Sequence, residues 1–205
     1  MPSSGPDKSV FLNVPFDADY RPLFEALVFS VADCAFTPRC ALEASDGGHV
    51  RVEKITRIIA GCTFGVHDIS RTELDSKSHL PRFNMPFELG LFLGAKRFGD
   101  RRQQRKTTLI LDRKHFRFQK FLSDIAGQDI KSHANKPALL IGAVRDWLRD
   151  ANPARHLPSS AIIVGRYKKF RRDLPSLCRK LRLNPDALTF NDYTWVIRHW
   201  LVDNG

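Results

Sequence analysis

The order of apolar runs along the chain constrains its fold more than any other feature. Three short runs, rich in β-branched and aromatic residues and bounded by polar turns, predict buried strands at Ser9–Phe16, Thr63–Ser70 and Thr107–Asp112. Between these runs, apolar residues recur at helical spacing. Strands that alternate with helices form βαβ units, so the pattern predicts a parallel sheet with helices packed on its faces.

Two weaker segments extend the predicted sheet. Phe36–Glu43 predicts a strand that Pro38 confines to an edge or a bulge, because proline cannot donate a hydrogen bond to a ladder. Asp129–His133 predicts a short last strand. We therefore expect an α/β fold over residues 9–135, a three-layer Rossmann-like or flavodoxin-like parallel sheet of about four or five strands. A disordered lead of residues 1–8 is expected before it.

The pattern becomes entirely helical towards the end of the chain. We expect residues 136–205 to form a helical C-terminal appendage, with a long helix over Ser159–Leu183 that is interrupted at Pro175. The last predicted helix, Phe190–Val202, has one strongly apolar face. That face either packs on the sheet domain or binds a partner protein or a second copy in a homo-oligomer.

Charge is distributed unevenly along the chain. Residues 1–95 carry 9 Lys+Arg and 12 Asp+Glu, whereas residues 96–205 carry 24 and 10, giving the net charge of +11. Two basic segments with interleaved aromatic residues, Lys96–Lys106 and Arg166–Arg172, either contact nucleic acid or an acidic partner, or form a solvated basic surface.

Cysteine usage and hydropathy indicate a compartment. The four cysteines show no CxxC pairing, which predicts reduced core residues and no metal site. No stretch approaches the ~18 apolar residues that cross a bilayer, so no membrane partner is expected. These features predict a soluble, cytoplasmic protein.

Polar residues at the ends of the predicted strands are the candidates for a binding site, because ligands of open parallel sheets bind outside the carboxyl ends of the strands. They are Asn13, Asp17 and Tyr20 at the end of the first strand, Glu43 at the end of the second, and Asp68, Ser70 and Arg71 at the end of the third. The aromatic Phe16 lies beside the first group. A loop of residues 71–84 then leads to the next helix. Loops of this length are usually functional or mobile, so it is expected to act as a lid. Its end should bring Arg82 and Asn84 to the same cleft as the next helix.

Glu88 lies in the first turns of an otherwise apolar helix, near Gly90 and Gly94. A carboxylate in the first turns of a helix either takes part in chemistry or simply complements the helix dipole. Cleavage of a ribosyl–base bond passes through an oxocarbenium-like state, which a carboxylate stabilises or captures covalently. We expect Glu88 to take this role.

Other residues are expected to assist. Asp68 is expected to help the base depart or to activate water, or else to close its strand with an Asx turn. Phe16 and Tyr20 would stack on a base or line the pocket, and Asn13 would bond a ribose hydroxyl; ordinary packing is the alternative for each. The remaining candidates for substrate binding are Asp17, Glu43, Ser70, Arg71 and Asn84.

Two segments resemble one superfamily. RFNMPFELGLFLG, Arg82–Gly94, resembles a motif of nucleoside 2-deoxyribosyltransferase-like and TIR-like proteins, including bacterial nucleotide-binding TIR-like proteins. VFLNVPFDADYRPLFEAL, Val10–Leu27, is similar to the first strand, loop and helix of TIR domains. The resemblance covers residues 9–130 and implies a hydrolase that cleaves the N-glycosidic bond of NAD or a nucleoside, often in bacterial antiviral defence. It places the nucleophile at Glu88 and makes NAD the substrate, with no cofactor and no metal.

The sequence leaves three functions open. The first is an N-glycosidase acting on NAD or a related nucleotide. The second is a nucleotide-sensing or partner-binding module of the same fold, and the third is a basic accessory protein that binds nucleic acid. A dinucleotide dehydrogenase or a P-loop enzyme is not favoured, because no GxGxxG follows the first strand and no GxxxxGK[ST] occurs.

Overall fold

The computed structural model describes residues 8–44, 48, 50–74 and 79–205; residues 1–7 of the expected lead and 75–78 of the expected lid lie outside the described residues. The strands are β1 Ser9–Asn13, β2 Thr37–Arg39, β3 Phe64–Asp68, β4 Thr107–Asp112 and β5 Lys131–Ser132. All neighbouring strands pair in parallel, in the order β2-β1-β3-β4-β5. The predicted parallel α/β fold is therefore confirmed, and β2, which contains Pro38, lies at an edge as expected.

Seven helices connect and follow these strands within the described ranges. They are α1 Arg21–Asp33, α2 Arg51–Ala60, α3 Asn84–Phe98, α4 Arg101–Gln104, α5 Pro137–Ala151, α6 Ser160–Lys180 and α7 Phe190–Asn204. Prolines open α1 and α5, where the missing N–H has no helical partner to lose.

Alternating side chains of the strands build two separate cores. Val10 and Leu12 of β1 face a core shared with α1 and α5, whereas Phe11 faces the opposite core with α2 and Phe92 of α3. The same alternation in β4 sends Leu109 and Leu111 to the first core and Ile110 to the other side. The sheet therefore lies between two helical layers, which confirms the three-layer architecture.

The C-terminal helices continue the core on the α1 side of the sheet. Phe29 of α1 contacts Phe170 of α6 and Trp200 of α7, with ring centroids 5.2 and 5.9 Å apart. Arg171 of α6 also forms an ion pair with Glu25 of α1. The core therefore runs without a break from the sheet into the region after residue 136.

The expected interruption of the long C-terminal helix is wrong. Helix α6 continues through Pro175, whose ring should remove one backbone hydrogen bond. Leu174 and Cys178 are buried on the core side, while Pro175 and Arg171, whose carbonyl loses its donor, lie at exposed positions. Burial of one helix face outweighs the lost hydrogen bond, because water can replace the missing donor on the other face.

Helix hydropathy and cysteine burial were both the subject of predictions from the sequence. None of the helices in the described ranges has the length and hydropathy needed to cross a membrane. All four cysteines are buried and unpaired, as predicted for reduced core residues.

Candidate functional site

A cleft of about 400 Å³ opens where β1 ends, between the first turns of α2 and α3. Its lining comprises Asn13, Val14, Pro15, Phe16, Asp17, Arg51, Arg82, Asn84, Met85 and Glu88. Five of the ten predicted site residues meet there: Asn13, Phe16, Asp17, Asn84 and Glu88. The other five, Tyr20, Glu43, Asp68, Ser70 and Arg71, do not line it.

Glu88 presents the most buried carboxylate of this cleft. It lies on the inward face of α3 with Leu89 and Phe92, and the residue is only 7% exposed. Burial raises the pKa of its carboxyl group, and the Arg51 guanidinium, 4.0 Å away, opposes that rise. A poorly solvated carboxylate on the wall of a cleft interacts strongly with a positive charge that develops beside it.

Asn13 is the last residue of β1 and its amide is fixed from two sides. Its Nδ2 donates to the Met85 carbonyl at 2.8 Å and lies 3.0 Å from Nδ1 of His67. Because burial lowers the pKa of His67 to about 3, that ring is neutral and its Nδ1 accepts the hydrogen bond. Both amide hydrogens are thus used, and Asn13 would meet a ligand through its oxygen, as an acceptor.

Asp17 provides a second carboxylate to the same cleft. Its Oδ1 accepts from the Tyr20 backbone N–H at 3.0 Å and from Arg71 Nη2 at 3.3 Å, and Oδ2 lies 4.0 Å from Arg82 Nη1. Phe16 precedes it, 39% exposed, with its ring edge-to-face on Phe24. The loop after β1 therefore supplies an acid and an aromatic wall.

Asp68 lies in a buried network on the other face of the sheet. Its Oδ1 accepts from the Ser70 N–H at 2.8 Å, which is the Asx turn considered above. Its Oδ2 accepts from the Tyr20 hydroxyl and lies 3.0 Å from Nε2 of His133, in a contact that is not aligned as a hydrogen bond. Burial, followed by the Asp68 charge, raises the pKa of Tyr20 well above its usual value, so Tyr20 remains a donor.

Strand alternation explains why Asp68 and Glu88 are separated. Val66 of β3 faces the α1 side, and Asp68, two residues later, shares that side with Tyr20. His67 packs against Phe92 on the opposite, α3 side. The carboxylate expected to assist Glu88 is therefore directed to the other face of the sheet.

The remaining predicted residues lie apart from the cleft. Glu43 ends a 3-10 turn after β2, and both of its carboxylate oxygens accept from Arg39, one of them at 2.6 Å. Ser70 and Arg71 line a separate polar pocket of about 280 Å³ that also includes Arg113.

Two arginines also belong to the cleft. Arg82 was expected there, at the end of the loop that leads to the Glu88 helix, whereas Arg51 was not predicted. Both guanidinium groups line the cleft. Arg51 is the first residue of α2, the helix that follows the edge strand β2. Ligands of parallel sheets bind at the carboxyl ends of the strands, so a search extended from the end of β2 to the start of the next helix would have found Arg51. Guanidinium groups suit the recognition of phosphate.

Neither similarity to known proteins nor a metal-binding cluster among the described residues identifies the site. Comparisons of the chain with protein-family models, with curated proteins and with solved structures found no match. Within the described ranges, no group of three or more His, Cys, Asp or Glu side chains is placed to hold a metal ion. The interpretation of the cleft rests on its own residues and their geometry.

Proposed function

We propose that this protein cleaves the ribosyl–base bond of NAD or a related nucleotide in the Glu88 cleft. The observation that carries the proposal is the carboxylate of Glu88, a residue only 7% exposed, on the wall of a cleft that two arginines also line. In hydrolysis the base leaves with the electrons of the C1′–N bond, water adds hydroxide to C1′, and one proton is released. NAD would thereby be consumed in the cytoplasm, in keeping with the antiviral defence that the resemblance implies.

Each role follows from the chemistry of the cleft. Glu88 would stabilise or capture the positive charge on C1′ as the base departs. Arg51 and Arg82 would hold the phosphates, and the Asn13 oxygen would accept a hydrogen bond from a ribose hydroxyl. We assign the activation of water to Asp17, because it is the other carboxylate that lines the cleft, whereas Asp68 is directed to the other face of the sheet.

Exchange of Glu88 for glutamine tests the proposal. Glu88→Gln keeps the shape of the side chain and removes its charge, so we expect turnover of NAD to fall at least about 10²-fold with little change in thermal stability. Loss of NAD and release of nicotinamide would be followed by chromatography. The matched control is Glu53→Gln, an exposed glutamate on α2 outside the cleft, which should keep full activity.

Either of two results would contradict the assignment. One is full turnover by a folded Glu88→Gln protein. The other is a wild-type protein that leaves NAD and nucleosides intact on prolonged incubation.

A nucleotide-sensing module is the second candidate, and one observation favours it. Both oxygens of Asp17 already lie near cationic groups, those of Arg71 and Arg82. Among the described residues that line the cleft, this leaves no unengaged acid beside Glu88. Such a cleft could bind a nucleotide without breaking it. Calorimetric binding of NAD with no nicotinamide released would identify this function.

The basic segments support nucleic-acid binding less than the sequence suggested, because several of their side chains make contacts within the chain. Arg166 pairs with Asp33 of α1, at 3.0 Å, and Arg171 pairs with Glu25. Lys106 is buried and donates to two backbone carbonyls at the end of α2. Some charges that suggested a nucleic-acid surface therefore hold helices together.

A further inference from the structure

The outward face of α3 is apolar and uncovered among the described residues. Phe83, which caps the start of the helix, is 59% exposed, Phe87 is 57% exposed and Phe98 is 87% exposed. Gly90 and Gly94 lie between these rings, and a methyl group added at either would touch nothing outside its own helix. With 3.6 residues per turn, the five positions fall within roughly 80° around the helix axis. They form one surface, which we call the α3 strip.

The α3 strip has the area of an interaction site. An aromatic side chain offers about 150–250 Å². The three exposed fractions together equal about two whole phenylalanines, so the strip presents about 300–500 Å² of apolar surface. Patches of about 300–600 Å² are the largest that a typical monomer exposes, and they are often functional.

The spacing along the α3 strip is complementary to itself. Phe87 and Phe98 are separated by about 16 Å of helix, with the two glycines between them. If two copies of α3 cross antiparallel about a two-fold axis midway between these rings, Phe87 of each copy meets Phe98 of the other. The glycines then lie at the crossing, where the lack of side chains lets the two backbones approach closely. Such a reciprocal match is what a two-fold interface requires, because the same surface serves on both sides.

Charge favours the antiparallel arrangement over a parallel one. Arg97 borders the strip and is exposed, and the chain has a net charge of +11. In a parallel pair, the two Arg97 side chains would lie at the same height and repel each other. In the antiparallel pair they are about 13 Å apart along the helix axis, beyond the screening length of about 8 Å at physiological salt.

We propose that the α3 strip is the contact of a homodimer, in which two copies of α3 cross antiparallel at Gly90 and Gly94. Two strips bury about 600–1,000 Å² between them, and the polar rim adds to this area. Specific interfaces begin at roughly 1,200 Å², so the dimer is reversible and weak. This contact differs from the C-terminal region that the sequence suggested for assembly, and it does not depend on the proposed function.

Sedimentation equilibrium of the full chain at about 1–200 µM tests the proposal. We expect a monomer–dimer equilibrium with a Kd of about 10–100 µM. Phe98→Ser removes apolar surface and Gly90→Gln places a long side chain at the crossing, so each should weaken the dimer at least about tenfold. Gly90→Gln also raises helix propensity, so the monomer should be no less stable than the wild type.

Matched control substitutions lie outside the α3 strip. Gly165→Gln changes an exposed glycine of α6 that also has open space around it. Val202→Ser removes an apolar side chain, 83% exposed, from α7. Neither should change the Kd by more than about twofold. Thermal unfolding of every variant shows whether its fold is retained.

Salt distinguishes an apolar contact from one made by charge pairs. An increase in NaCl from about 50 to about 500 mM should strengthen the dimer at least about threefold, because salt screens the repulsion between two basic copies. A dimer that salt weakens is held by ion pairs and overturns the proposal.

Three further results would overturn it. One is a protein that stays monomeric over the whole concentration range. Another is a dimer that survives either α3 substitution in a folded variant. The third is a dimer that is lost in Val202→Ser and kept in Gly90→Gln, which would place the interface in the C-terminal region.

Discussion

At the scale of single residues, Arg51 influences whether Glu88 is charged. Its guanidinium lies 4.0 Å from the Glu88 carboxylate and lowers a pKa that burial raises. If Glu88 acts as a carboxylate, activity falls as pH drops through that pKa. Arg51→Gln removes the opposing charge, so the acid limb of kcat against pH should shift to higher pH.

The matched control for this shift is Arg57→Gln, an exposed arginine later in α2 that does not line the cleft. Its pH profile should coincide with that of the wild type. An acid limb that stays in place in Arg51→Gln would show that Glu88 does not set it.

His67 makes stability depend on pH. Burial lowers its pKa from 6.5 to about 3, so the unfolded chain binds a proton that the folded chain refuses between those values. We therefore expect the His67 contribution to stability to be nearly full above pH 6.5 and to be lost as pH falls below it, by about 2 kcal/mol between pH 7.5 and pH 5. Urea unfolding at the two pH values measures this loss.

His67→Gln should lose that part of the pH dependence, because glutamine does not titrate and its oxygen can still accept from Asn13. His156→Gln, at an exposed position, is the control and should fall with pH as the wild type does. An unchanged slope in His67→Gln would mean that other groups cause the acid sensitivity.

At the scale of elements, α6 carries a proline that its packing tolerates. Pro175 lies inside the helix and at an exposed position. Alanine there restores a backbone donor and helix propensity, and it gives back some entropy to the unfolded chain. Pro175→Ala should therefore stabilise the protein, by about 1–2 kcal/mol in urea unfolding. A destabilised variant would show that the proline ring makes contacts that the helix needs.

At the scale of the whole molecule, the last helix belongs to the core. Five of its large apolar or aromatic side chains are buried: Phe190, Tyr193, Val196, Ile197 and Trp200. Burial of each large apolar side chain contributes about 1.5–3 kcal/mol, and a domain is stable by only about 5–15 kcal/mol. Deletion of residues 184–205 should therefore abolish cooperative folding, as measured by soluble yield and circular dichroism.

Deletion of residues 203–205 alone is the control and should leave the fold intact, because none of these residues is buried. A longer truncation that stayed folded and lost only an oligomer would instead support the predicted role of this region in assembly. The apolar face that suggested a role in assembly packs within the chain. Assembly through this region stays a prediction.

Local patterns along the sequence determined the architecture and the position of Glu88. Short apolar runs predicted the strands, and apolar residues at helical spacing predicted the helices. Their alternation predicted the parallel sheet, because strands that alternate with helices form βαβ units. Pro38 predicted an edge position for its strand, because proline cannot donate a hydrogen bond to a neighbouring strand. The rule for strand ends brought Asn13, Asp17 and Glu88 to one cleft.

Tertiary structure decided which of the polar residues at the strand ends share a site. Asp68 ends β3 and Asp17 follows β1, but the pleat turns Asp68 to the α1 side, where the Tyr20 hydroxyl donates to it. The Glu43 carboxylate is likewise engaged within the chain, by an ion pair with Arg39. Sequence reveals that side chains alternate but not which face each set meets, because that depends on which helices cover the two sides of the sheet.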